Sequence, residues 1–119
     1  MEISDFMESV KSTWKGDARA LNQMGTNMHV ETMGGLAHAL IGISSESGEL
    51  LDEYKKWRYY NDGRSFPQKF LEEELGDVLY YVFAACMELD IHPEDLMYKN
   101  RNKLRERYAT TQTNPPNCS

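Results

Sequence analysis

Proline is almost absent from the interior of this chain. Pro67 and Pro93 stand where segments begin, and Pro115 and Pro116 lie in the tail. A proline inside a helix removes a backbone hydrogen bond and clashes with the preceding turn, so its absence leaves long stretches free to be helical. Two of them carry a seam at steps of three and four. Leu36, Leu40, Ile43, Ser47, Leu50, Tyr54 and Trp57 make up one, and Leu71, Leu75, Val78, Val82, Ala85 and Leu89 the other. That spacing is a heptad seam, and no period-two run bounded by turn residues competes with it. The pattern predicts an all-α, four-helix-bundle-like fold.

Breakers and caps divide the chain. A first helix is expected over Ser4–Gly16, with Ser4 as N-cap and Gly16 as stop, and a further turn or two over Asp17–Met24. A long helix follows from about Thr32 to Tyr60, stopped by Asn61-Asp62-Gly63, although each glycine inside it (Gly34, Gly35, Gly42, Gly48) costs about 1 kcal/mol against alanine. Ser65 and Gln68 have the spacing of a capping box, so a third helix is expected to start there and run to about Leu89. Pro93 suits the first position of a fourth, with Glu94 and Asp95 at its positive end and Lys99, Arg101, Lys103, Arg105 and Arg107 beyond. Residues 1–109 form one domain, the expected number for 119 residues. Residues 110–119 are a polar tail expected to be disordered. Met24, Met28 and Met33 are expected to fill gaps against the bundle.

Charge removes whole classes of function. A net charge of -6 argues against a nucleic-acid binder, because that affinity rests mostly on basic residues and released counterions. No apolar run approaches the roughly 20 residues of a membrane span. Met1–Val10 carries acids and lacks the basic start and apolar centre of a signal peptide. Cys86, in an apolar stretch, and Cys118, in the tail, read as reduced thiols. A cytoplasmic location is expected.

The acidic residues follow the seams. Glu46, Glu49 and Glu53 fall on one flank of the long helix, and Glu74 and Asp77 on the matching flank of the next. A short connection makes the two helices antiparallel neighbours, so the two acidic flanks meet. Counting out from the connection sets Glu53 near Glu74 and Glu49 near Asp77. Two carboxylates about 4 Å apart repel by roughly 4 kcal/mol at an effective dielectric of 20, so such a cluster calls for protons, bases or cations. Oxygen-only ligands on a rigid frame suit Mg²⁺ or Mn²⁺ better than zinc. Lys56, one turn beyond Glu53, is placed to meet an anion held there. Tyr54 and Trp57 read as core packing, Tyr80 and Tyr81 as open between core and ligand contact, and His38 as a polar surface histidine. Cys86 reads as a small apolar filler.

The text of these segments is also familiar. Gly42-Ile-Ser-Ser-Glu-Ser-Gly-Glu-Leu-Leu-Asp-Glu53 resembles the E-x-x-E helix of the MazG-like, all-α nucleoside triphosphate pyrophosphohydrolases. Glu72-Glu-Glu-Leu-Gly-Asp-Val-Leu-Tyr-Tyr81 resembles their E-x-x-D helix, and Asn102-Lys103-Leu104-Arg105-Glu106-Arg107-Tyr108 their basic fourth helix. Between Glu49 and Glu74 lie 24 residues, a spacing that family tolerates. The resemblance implies Mg²⁺-dependent hydrolysis between the α and β phosphates of a nucleoside triphosphate, giving monophosphate and pyrophosphate. It implies Glu46, Glu49, Glu74 and Asp77 as metal ligands. Where some relatives carry a further acid this chain has Ser45, so Glu53 or Glu73 is left for that role, and Glu53 is the candidate for a further ligand or the group orienting the water. Lys56, Asn102, Lys103 and Arg107 become candidates for binding phosphate or sugar. A long helix ending in Trp57, Tyr59 and Tyr60 leaves apolar surface that a second copy would cover, so a homodimer or homotetramer is expected. Two alternatives stand beside this reading: a dUTPase-like or phosphoribosyl-ATP enzyme of the same superfamily, and a non-catalytic helical module for oligomerisation or regulation.

Overall fold

A computed structural model of the chain describes residues 1–16, 28–60 and 62–109, and for 28–33 the backbone alone. The described residues form four α-helices and no strand: α1 (Ile3–Thr13), α2 (Met28–Tyr59), α3 (Gln68–Glu88) and α4 (Pro93–Ala109). The further turn expected over 17–24, the three methionine side chains and the tail beyond 109 lie outside the described residues.

Helices α2 and α3 make an antiparallel hairpin, the most extensive packing in the molecule, and α1 lies across α3 and touches α4. The first cap is Glu2 rather than Ser4, with the Asp5 carboxylate accepting the Glu2 backbone N–H at 3.1 Å. Helix α2 starts earlier than Thr32 and runs through its glycines unbroken. Helix α3 starts at Gln68, with Pro67 at its cap and no side-chain capping bond. The Ser65 capping box is therefore not formed. Its physical cause is Pro67, whose ring disfavours helical backbone at Phe66. Helix α3 ends in a Schellman turn: Asp90 adopts φ 55°, and the Ile91 and Asp90 N–H groups donate to the Cys86 and Met87 carbonyls at 2.9 and 3.2 Å. Pro93 then opens α4 as expected. The sequence reading missed its cap: His92 Nδ1 accepts the Glu94 backbone N–H at 3.1 Å.

The core is small. Met7 and Val10 of α1 meet Ala39 of α2 and Phe83, Ala84 and Ala85 of α3, and Phe6 stands edge-on to Phe83 with ring centroids 4.7 Å apart. Cys86 is buried beside them, and burial pushes its thiol up from the ordinary value. It fills space, as expected.

The seam itself is rotated from its expected face. Leu40, Leu75 and Leu89 remain 52%, 56% and 53% exposed, while Gly35, Ala39 and Gly42 are buried. Small residues explain this. A methyl group at Gly42 would overlap the Tyr81 ring, and one at Gly35 would overlap the Glu88 carboxylate. The two helices therefore meet along a small-residue stripe.

Candidate functional site

Packing along that stripe brings the acidic flanks together. Glu46, Glu74 and Asp77 each offer a carboxylate oxygen, and these oxygens lie within 4.8 Å of one another. Glu46 Oε2 and Glu74 Oε2 are sealed from solvent, and no N–H or O–H group donates to either. The Glu74 carboxyl is pushed up to about 8. The leading cause is the Glu46 carboxyl facing it closely enough to share a proton, followed by loss of solvent and by the neighbouring Glu49. Tyr81, one turn beyond Asp77, is also raised, mainly by burial and then by the negative charge of Glu46.

Five carboxylates were expected to converge, and the register differs from that count. Glu74 faces Glu46 and Glu49, whereas Glu53 acts on Lys56 and Arg64. The reason is the connection. Residues 64–67 are not helical, and extended chain advances about 3.3 Å per residue against 1.5 Å in a helix. Phe66 thereby comes level with Trp57, with ring centroids 4.9 Å apart. Glu74 stands eight residues on from Phe66, and Glu49 eight back from Trp57. A non-helical return sets the position of α3 along α2, and that position sets which acids meet.

The basic candidates separate into two groups. Lys56 lies on the acidic flank, paired with Asp52 at 3.0 Å, and the Asp52 hydrogen bond raises it above the usual lysine value. Asn102, Lys103 and Arg107 lie on α4, whose most extensive packing among the described residues is on α1. Tyr54 and Trp57, expected in the core, instead form an aromatic group with Phe66 at the closed end of the hairpin, with Tyr54 44% exposed. His38 is on the surface, as expected, and it is also held: its Nδ1 lies 3.2 Å from the Gly16 carbonyl, and its ring lies against Trp14 with centroids 4.8 Å apart. Trp14 in turn donates its indole N–H to Glu88 at 2.8 Å. Arg64 was not singled out from the sequence. An arginine in a turn has no helical period to mark it.

The donor set fits a hard divalent cation. Two sealed carboxylate oxygens without a donor are an arrangement that a proton or a metal ion satisfies, and all the ligands are oxygens. A pH dependence follows. A carboxyl raised from 4.5 to about 8 binds its proton more tightly in the folded chain, so its contribution to stability is full below about pH 4.5 and is lost as pH rises towards 8. In EDTA the melting temperature is expected to fall across that interval, and millimolar Mg²⁺ at pH 8 to restore it. Thermal melts in both buffers check this. A profile that is flat in EDTA and unchanged by Mg²⁺ refutes the coupling.

The fold and the site together define an all-α protein whose antiparallel hairpin carries a carboxylate cluster able to hold a metal ion. A family profile described as dUTPase matches residues 16–114, and the chain belongs to that family. The match agrees with the nucleotide pyrophosphohydrolase type that the paired acidic motifs resemble. Among curated proteins, the chain is similar to "Gene 37 protein" of Mycobacterium phage L5, 32% identical over 79 residues that cover 65% of this chain and 69% of that protein. No solved structure gives a significant match. No helix among the described residues is long and apolar enough to cross a membrane.

Proposed function

We propose that the protein is a MazG-like, Mg²⁺-dependent nucleoside triphosphate pyrophosphohydrolase that cleaves between the α and β phosphates and releases a monophosphate and pyrophosphate. The observation that carries this reading is the pair of donorless, sealed oxygens of Glu46 and Glu74 beside Asp77. Glu46, Glu49, Glu74 and Asp77 would hold the metal, which when bound supplies positive charge to the α-phosphoryl group and acidifies water. Glu53, half-buried one turn beyond Glu49, is assigned to orienting the attacking water or to a further ligand position. Lys56 meets the departing phosphates. Because of the family's description, dUTP is the first substrate to test.

Assembly belongs to the same proposal. On the flank opposite the carboxylates, Leu40, Leu51, Leu75 and Leu79 are 47–70% exposed, and a second copy would cover them. A homodimer or homotetramer would also let Asn102, Lys103 and Arg107 bind phosphate across the contact between copies. A cytoplasmic location is part of the same proposal.

The test is a panel of nucleoside triphosphates with Mg²⁺ in ¹⁸O-labelled water. Attack at the α-phosphorus puts label in the monophosphate and releases unlabelled pyrophosphate. Label in pyrophosphate alone, or orthophosphate released from the parent triphosphate, contradicts the mechanism. Cation binding with no turnover on any nucleotide would favour the non-catalytic helical module.

A further inference from the structure

Beyond the carboxylates, the acidic flank of α2 changes character at the closed end of the hairpin. Lys56 leans back along its helix, as helical side chains do, and its Nζ reaches Asp52 Oδ2 at 3.0 Å. It therefore lies level with residue 52, about 4.5 Å along the axis from Glu49 at 1.5 Å per residue. Across the turn, Gly63 takes φ 83°, a conformation open to glycine, and this folds Arg64 back onto Asp62. The Arg64 guanidinium donates to the Asp62 carboxylate through Nε at 2.9 and 3.1 Å and through Nη2 at 2.7 Å. A cavity of about 260 Å³ opens there, lined by Trp57, Arg58, Asp62, Gly63 and Arg64. Glu53 lies between this end and the carboxylate cluster and acts electrostatically on both Lys56 and Arg64.

Resting on the reading above, we propose that Arg64, with Lys56, is the subsite for the outer two phosphates of the triphosphate, and that Asp62 holds the Arg64 fork as a stand-in anion until those phosphates arrive. Three observations support it. Lys56 lies on the flank of α2 that carries the carboxylates, Arg64 lies in the turn at the same end of the hairpin, and Glu53 acts on both, so outer phosphates that extend from the carboxylates towards this end meet two cations. The ion pairs of both are with exposed carboxylates, Asp52 and Asp62, and exposed ion pairs are weakly held. A phosphate matches the guanidinium fork as well as a carboxylate does and carries more charge, so the exchange from Asp62 to phosphate is favourable. Arg64 binds and steadies the leaving group, and the bond-breaking step stays at the carboxylate cluster.

The two partners of the pair separate this role from a structural one. With Mg²⁺ present, titration calorimetry with inorganic pyrophosphate is expected to show Arg64→Gln binding about tenfold more weakly, the size of one lost charge-assisted contact. Asp62→Asn is expected to bind several-fold more tightly than the parent, because the competing carboxylate is gone. Arg64→Lys should recover part of the loss. A mere turn clamp predicts the opposite pattern, in which both substitutions lower the melting temperature alike and change pyrophosphate affinity in the same direction or not at all. That result overturns the subsite, as does a parent protein that binds no pyrophosphate with Mg²⁺. If the parent cleaves a triphosphate to monophosphate and pyrophosphate while the two variants bind pyrophosphate alike, the subsite alone fails. If the parent cleaves no nucleotide, the catalytic reading fails and takes the subsite with it.

Discussion

Replacing Glu74 by glutamine is expected to remove at least two orders of magnitude of turnover while leaving the metal-free chain as stable as the parent or more so. The carboxylate contributes charge to a cluster in which Glu46 Oε2 and Glu74 Oε2 accept no hydrogen bond. In the absence of metal, Glu74 already prefers its neutral form, held up to about 8 by Glu46, by burial and by Glu49. A neutral amide of the same shape relieves that crowding and gives Glu46 an N–H to accept. With Mg²⁺ the balance reverses. A parent site filled to a hundred times its dissociation constant gains about 2.7 kcal/mol, and the variant should lose most of that gain. Steady-state kinetics and paired melts with EDTA and Mg²⁺ test both halves. A variant that keeps parental turnover removes Glu74 from the metal site.

Phe83→Ala is expected to do the reverse, costing about 3–5 kcal/mol of stability while each folded molecule keeps its turnover. Phe83 is 6% exposed and joins α1 to the hairpin through Phe6, Met7 and Val10. With so few buried side chains, the cavity has little around it to collapse inward. Total stabilities of 5–15 kcal/mol are usual, so this one change removes a large share of the margin. The loss should appear as a lower denaturant midpoint at 25 °C, with Phe83→Leu intermediate. An unchanged midpoint would mean that α1 is not anchored there.

Much of the molecule was legible in its residues. The breaker-free heptad spacing of α2 and α3 predicted the helical hairpin, and Pro93 marked the first residue of α4. The acidic flanks were legible too. Glu46 and Glu49 share a flank of α2, and Glu74 and Asp77 a flank of α3, because steps of three and four lie on one face of a helix, and the antiparallel turn brings Glu46 together with Glu74 and Asp77. The packing face was less legible. The apolar seam drew attention to Leu40 and Leu75, but the helices approach along Gly35, Ala39 and Gly42, where the Tyr81 ring and the Glu88 carboxylate fill the space a side chain would need. Glycine reads as a cost in helix propensity, and that view hides its use as a place for close approach.

What the sequence determined by itself is therefore local: which stretches are helical, which flank is acidic, and that oxygen ligands suit a hard cation. The tertiary structure decided the axial offset between the two helices and the placement of the basic residues. A few non-helical residues up to Pro67 set the position of α3 along α2, so Glu74 meets Glu46 and Glu49 while Glu53 acts on Lys56 and Arg64. Periodicity fixes direction around a helix axis and carries no information about position along a neighbour. The length of the return path and the small-residue contact set that position.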